Sequence, residues 1–250
     1  MNTLAEAELK AGVFLVDKPV GLTSFAVVGR IRRILGIKKV GHAGTLDPFA
    51  TGLLIVCVGR PATKLISLFM DGEKEYLATL CLGVTTETFD TEGAVTSRKS
   101  VGHLSGDDIE ICLQQFRGTQ LQVPPSYSAL KYKGKPLYYY ARRGIKIIKE
   151  PRQITIKLLE RTDQGHDLAG DEAELKLKVV CSKGTYIRTL AADIGEILGC
   201  GAHLVQLRRT RSGCFSVENS LTGDDFIADD AKERLLAKML SVDEVCKLLQ

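Results

Sequence analysis

Hydrophobic positions along this chain follow two periods, and their alternation sketches the architecture. Residues 53–58 form an unbroken apolar run, Leu-Leu-Ile-Val-Cys-Val, whose length suits a buried strand. Residues 13–16 predict a shorter strand ending at Asp17-Lys18-Pro19. Ser24 then offers an N-cap to a helix over 25–35, with Phe25, Val28, Ile31 and Leu35 as its apolar face and Gly36 as its stop. Residues 62–70 also read as a helix. In 74–82, Tyr76, Ala78, Leu80 and Leu82 alternate with Leu77, Thr79 and Cys81; both faces are largely apolar, which predicts a central strand. Ser105 and Asp108 have the spacing of a capping box opening a helix that runs to 116. Strands follow at 154–159 and 173–181. The hinge Ser182-Lys183-Gly184 leads into a helix over 185–198, stopped by Gly199, with Arg188 in its first turn. Strands and helices interleave without the regular spacing of a doubly wound sheet. The expected class is therefore α+β, a mixed and mainly antiparallel sheet flanked by helices, without internal repeats.

Composition narrows this little. With 250 residues and 44% apolar side chains the chain can bury one large core or two modest ones. Its longest apolar run, 53–58, is far short of the roughly 20 residues that span a bilayer, and 1–12 carries three charges without an apolar signal segment. Neither membrane association nor export is expected. The seven cysteines form no C-x-x-C pair, and an odd, scattered set fits neither a disulfide framework nor a zinc site. A cytoplasmic protein without a bound metal is the expectation.

Charge is more informative. Residues 215–250 hold 8 acidic and 4 basic side chains, which leaves 30 basic against 22 acidic in 1–214. The basic residues cluster as Arg30/Arg32/Arg33/Lys38/Lys39, Lys131/Lys133/Lys135, Arg142/Arg143/Lys146/Lys149/Arg152 and Arg208/Arg209/Arg211. Any one cluster reads as a solvated face; their number suits a surface that tracks a phosphate backbone. Segment 121–144 adds Pro124-Pro125, five tyrosines and five Lys/Arg, and reads as a long excursion that orders on a partner. Aromatics interleaved with cations suit RNA, where rings stack on bases and cations meet phosphates.

The candidate chemistry lies in 40–50. Gly41, Gly44 and Gly52 permit backbone conformations closed to other residues, Pro48 fixes the chain after Asp47, and the 53–58 strand anchors the loop. The loop alone leaves two readings open, an Asp that caps a turn before Pro or a carboxylate presented for catalysis.

Five motifs taken in order decide between them: Asp17-Lys18-Pro19; Lys39 to Pro48 with its Gly-His-Ala-Gly-Thr-Leu-Asp core; Lys74-Glu75-Tyr76; Pro124-Pro125 with Tyr127, Ser128, Ala129 and Lys131; and Gly184-Thr185-Tyr186-Ile187-Arg188. Over residues 12–215 this pattern resembles the TruB family of pseudouridine synthases, bacterial enzymes acting on uridine 55 of tRNA. The resemblance implies the pseudouridine synthase fold with a thumb-like insertion at about 121–144, and isomerisation of the T-loop uridine to pseudouridine without any cofactor. It implies Asp47 as nucleophile, attacking the uracil ring or the ribose C1′; Arg188 as the arginine paired with it; and Tyr76 as the ring that stacks on the flipped base. Tyr186 and Leu207 match positions lining the uracil pocket, His42 a histidine contacting displaced T-loop bases, and Asp90 an acid bracing the arginine. Lys18 with Pro19 is expected to shape the pocket floor. The residues themselves also admit plainer roles: Arg188 as a structural ion pair, Tyr76 as core, His42 and Asp90 as turn residues. A cation in a helix's first turn opposes the helix dipole, so Arg188 calls for an acidic partner in any case.

The same resemblance sets the expected organisation. Residues 1–214 form the catalytic domain, and 215–250 a short acidic tail with helices at 231–240 and 242–249. Many family members continue here into a small RNA-binding domain, which this tail is not expected to be. The partner expected is the tRNA T-arm, met by a monomer without an obligate protein partner. Three alternatives compete: a binding or folding module for the T-arm in which Asp47 is structural, a guide-RNA-dependent synthase subunit, and a hydrolase pairing Asp47 with His42 or His203.

Overall fold

In the computed structural model, which describes residues 11–163 and 166–249, the chain divides into two compact units. The first comprises Met1–Gly72 with Arg208–Gln250, the second Glu73–Leu207. Each is mixed α/β around mainly antiparallel strands flanked by helices, the class expected.

The first unit is built on the apolar run. Strand Thr51–Val58 pairs antiparallel with Gly12–Lys18, from Gly12 against Val58 to Lys18 against Gly52, and with Val40–Ala43 along its last four residues. Arg208 and Arg209 join it in parallel, opposite Thr51 and Gly52. Residues Leu53 to Val58 are wholly buried because both faces are covered. The strand period of two sends Leu54, Val56 and Val58 to one core with Phe14, Val27, Ile31 and Leu235. Leu53, Ile55 and Cys57 face the other, with Ala62, Phe69, Phe215 and Val245. The C-terminal segment takes part in both cores: Leu221 pairs with Leu15 and Asp17 through the backbone, Leu240 pairs with Val13, and the helices Ala231–Ala237 and Val242–Leu248 supply Leu235 and Val245.

Helix Ser24–Leu35 departs from expectation at its start. Thr23, not Ser24, is the N-cap, its hydroxyl accepting from the Ala26 amide at 3.0 Å. The buried stripe is Ser24, Val27, Val28 and Ile31, and Phe25 stands 69% exposed. A serine takes an inward position here, so a stripe drawn through apolar residues alone is rotated off the true one. The expected helix at 62–70 is two short ones, Gly59–Thr63 and Ile66–Asp71.

In the second unit Lys74–Leu82 is central. It lies between the first residues of strand Ala202–Ser212 and strand Glu174–Cys181, which is followed by Arg152–Arg161 and, at the edge, Gly118–Gln122. Helices Gly106–Gln114 and Ile187–Ile197 cover this sheet, burying Ile109, Leu113, Leu190 and Ile194. The Ser105/Asp108 capping box forms as expected. Segment 121–144 holds a two-stranded turn, Lys131–Tyr132 with Lys135–Pro136, and a short helix Leu137–Ala141. Among the described residues no helix is long and apolar enough to cross a membrane.

Two glycines separate conformational from steric demand. Gly36 has φ 68° with open space where a Cβ would project, whereas at Gly52 (φ 98°) a Cβ would lie 2.2 Å from the Arg209 carbonyl oxygen. We expect Gly36→Ala to cost about 1 kcal/mol, the left-handed strain alone. Gly52→Ala should cost more than about 2 kcal/mol, because strain and a backbone collision add. Urea unfolding midpoints of the two variants check this ranking.

Candidate active site

In the first unit the loop carrying Asp47 is held through its backbone. Ser24 Oγ accepts from the Leu46 amide at 2.9 Å and donates to the Leu46 carbonyl at 3.1 Å, so one buried hydroxyl satisfies both polar groups of the residue before the aspartate. The Pro48 carbonyl, on the other side, accepts from the Gly21 amide at 2.8 Å and from Lys18 Nζ at 3.2 Å. Lys18 is wholly buried, and its ammonium also donates to the carbonyls of Leu22 at 2.7 Å and Pro19 at 3.0 Å. Lys18 thus donates to three backbone carbonyls and braces the loop just after the aspartate in sequence. The Ala50 amide closes a turn on the Asp47 carbonyl at 3.1 Å, and the half-buried Asp47 side chain sits at the head of this braced loop.

His42 ends up half-buried nearby in the chain, with an interior Nδ1 that finds no hydrogen-bond partner among the described residues. Burial, and secondarily the charge of Arg209, pull its pKa below the ordinary imidazole value. It is therefore neutral at neutral pH.

In the second unit Arg188 is 4% exposed in the first turn of helix Ile187–Ile197. Its Nη1 donates to Asp90 Oδ2 at 2.9 Å and to the Thr88 carbonyl at 3.0 Å, and its Nη2 to the Tyr127 carbonyl at 2.8 Å. The acidic partner demanded by the helix dipole is thus Asp90, itself only 1% exposed. Asp90 is fixed in turn by the Thr88 hydroxyl and by the Glu92 amide at 2.9 Å, both donating to Oδ1. Phe89 adopts a left-handed φ of 63° to make this turn, and its carbonyl accepts from the Leu204 amide at 2.9 Å. Tyr186 is the helix N-cap; its amide and carbonyl are both bound by the Gln122 side chain, at 2.8 and 3.1 Å. Tyr76 is 9% exposed on the central strand and Leu207 is 7% exposed.

The residues named from the sequence as one site fall in both units: Asp47, Lys18 and His42 belong to the first, and Arg188, Asp90, Tyr186, Tyr76 and Leu207 to the second. Sequence reasoning missed the bracing roles of Ser24 and Gln122, and it misread Arg209. The cluster Arg208/Arg209/Arg211 is not a solvated face: Arg209 is 2% exposed and Arg208 is held by a two-pronged ion pair to Asp17, at 3.0 and 2.7 Å. The hydrolase alternative gains nothing from His203, a core histidine whose Nδ1 is 3.0 Å from the Val84 carbonyl. Cys57, Cys112 and Cys181 offer no rival nucleophile either, since burial pushes Cys57 up to about 12 and Cys112 and Cys181 up to about 11.

Removing one member of the Arg188–Asp90 pair strands the other in the interior. We expect Arg188→Met to lose about 3–5 kcal/mol, and Arg188→Met with Asp90→Asn to recover part of it, read from urea unfolding of the four-member cycle. For His42 the folded state resists protonation below the ordinary value, so the unfolded chain binds more protons and stability falls as pH drops through about 6.5. The unfolding free energy of His42→Gln should accordingly fall less steeply than that of the wild type between about pH 7 and about pH 5.

Comparison with known proteins gives this geometry a context. A family model described as TruB family pseudouridylate synthase (N terminal domain) matches residues 32–187, and one for the tRNA pseudouridylate synthase B C-terminal domain matches 188–245. The chain is 65% identical over 247 residues to a tRNA pseudouridine synthase B of Desulfotalea psychrophila, covering 99% of this chain and 100% of that one. To the tRNA pseudouridine synthase B of Syntrophotalea carbinolica it is 45% identical over 238 residues, 94% of this chain and 74% of the relative. Among solved structures it resembles a chain of a Cbf5-Nop10-Gar1 complex (30% identity, TM-score 0.68, 95% of this chain and 62% of that one). It also resembles a chain of an H/ACA RNP bound to a substrate RNA containing 2'-deoxyuridine (27% identity, TM-score 0.67, 95% and 61%), so it spans about three-fifths of both solved chains. The chain belongs to the TruB family of pseudouridylate synthases.

Proposed function

We propose that this protein isomerises the T-loop uridine at position 55 of tRNA to pseudouridine, with Asp47 as its nucleophile. The observation that carries the reading is the 65% identity spanning nearly all of this chain and all of a tRNA pseudouridine synthase B. Similarity of 27–30% to chains from RNA-protein complexes is much weaker support for guide-RNA dependence.

The chemistry follows from the residues assigned. The Asp47 carboxylate bonds to the uracil ring or C1′, the N1–C1′ bond breaks, the base turns, and C5 bonds to C1′ as the bond to Asp47 is released; the proton lost from C5 is balanced by one taken up at N1. Every bond broken is matched by one formed, so the reaction needs no oxidant, reductant or cofactor. Uracil has to leave its stack to be reached, and Tyr76 offers a ring on which it can rest. Arg188 supplies cationic charge to the reaction and is itself oriented by Asp90. Tyr186 and Leu207 contact the uracil in this reading, and Lys18 braces the loop that carries Asp47. His42, neutral at neutral pH, is the residue that meets a displaced T-loop base in this reading.

The insertion supports an RNA stem as the wider contact. Arg143 and Lys135 flank the Tyr139 ring at 3.7 and 4.2 Å from its centroid, and Arg142 lies 5.4 Å over Tyr138. Rings and cations are thus already arrayed together on an exposed surface, where phosphates and bases can engage both. The protein acts on the T-arm as a cytoplasmic monomer in this reading.

Tritium release from tRNA transcript labelled with [5-³H]uridine tests it. Wild type should release tritium from a single site, and Asp47→Asn should release none above the enzyme-free control while still binding tRNA. Binding by both proteins without release by either would instead favour the T-arm binding module.

A further inference from the structure

Arg209 has no part in the proposed reaction, yet it is carried into the interior beside the Asp47 loop. Its guanidinium makes two hydrogen bonds, Nε to the Leu53 carbonyl at 2.7 Å and Nη2 to the Gly44 carbonyl at 3.0 Å. Gly44 lies three residues before the aspartate and Leu53 six residues after it, so these carbonyls mark the two feet of the loop. Nη1 crowds Gly44, where a Cβ would come within 3.3 Å, and the Arg209 backbone packs on Gly52 so closely that no side chain fits there. Among the described residues no carboxylate pairs with Arg209. Its charge is met by carbonyl dipoles, which is an expensive way to fill a core that Leu or Met could fill.

We infer that Arg209 is a positioning residue for the uridine isomerisation: its guanidinium ties the two ends of the Asp47 loop together, so that the carboxylate is presented in one geometry. The inference rests on the reading of Asp47 as nucleophile. Between the feet, Ser24 holds Leu46, and Lys18 with Gly21 holds Pro48, so the backbone on both sides of Asp47 is bound to groups of the first unit. Arg209 reaches both ends, through the carbonyls of Gly44 and Leu53. A guanidinium suits the task because its planar fork fixes the angle between its donors and it stays charged at any working pH, whereas an ammonium is a point donor. The lowered pKa of His42, set first by burial, is deepened by the same charge.

The test compares Arg209→Lys and Arg209→Met with Leu235→Ala, a core change in the same unit whose side chain lies in the cluster around Phe14 and Ile31. Single-turnover tritium release, tRNA Kd and amide hydrogen exchange are measured on each protein below its unfolding temperature. Loss of loop geometry should lower the single-turnover rate of Arg209→Lys by about 10- to 100-fold while Kd moves less than about 3-fold. Exchange at the Leu46 and Ala50 amides should quicken by more than about 10-fold relative to amides of the Gly12–Lys18 strand. Leu235→Ala should keep the wild-type rate and the wild-type ratio of exchange.

Wild-type rates in folded Arg209→Lys or Arg209→Met, or losses shared equally by Leu235→Ala, would overturn the inference. Failure of both Arg209 variants to fold would do so too, by making the guanidinium a folding element. Should the wild type release no tritium, the proposed function fails instead. The exchange experiment then still decides whether Arg209 holds the loop.

Discussion

Carbonyl oxygens that turn inward at a tight loop have to find donors, because an unpaired one in the interior costs as much as several well-made contacts contribute. In the first unit this constraint is met by side chains that bring charge with them. Lys18 answers three carbonyls and Arg209 two, and both are essentially inaccessible to solvent. The loop they hold cannot be regular structure: Gly44 lies in the left-handed region and Pro48 has no amide to donate. What the loop lacks in hydrogen bonds to itself, the core supplies.

The second unit applies the same chemistry with an acid added. Arg188 also meets two carbonyls, those of Thr88 and Tyr127, but it sits in the first turn of a helix, where the backbone dipoles repel a cation. Asp90 offsets that repulsion, and the strained turn at Phe89 aims it. Removing either partner is therefore costly, while the pair as a whole need not add stability. What the pair does is fix one orientation of a guanidinium that is already desolvated.

The extent to which this was legible in the sequence follows from periodicity. The 53–58 strand, the central strand at Tyr76 and the Ser105/Asp108 cap each rest on a local pattern, and each forms. The need of Arg188 for an acid followed from electrostatics, and Asp90 came from the family motif. Ser24 and Phe25 went astray for one reason: polar side chains that serve the interior interrupt the apolar stripe, so hydrophobicity misplaces the buried face by one position. Roles made of backbone contacts, such as those of Ser24 on Leu46 and Gln122 on Tyr186, leave no periodic trace at all.

Arg209 shows where a better rule lies. Reading Arg208, Arg209 and Arg211 as a cluster treats charge as a property of a surface. Within strand Ala202–Ser212, however, successive side chains point to opposite faces, so Arg208 and Arg209 cannot both face the same way. When such a strand contributes to a covered core, one of two adjacent arginines must enter it. There it will be retained only if carbonyls or carboxylates are turned to receive it. Arg208 meets Asp17 at a half-buried position, and Arg209 goes inward to the carbonyls of Gly44 and Leu53. An adjacent pair of arginines in a strand is thus a signal of a buried cation as much as of a basic patch, and glycine-rich loops nearby in the fold are the natural source of its acceptors.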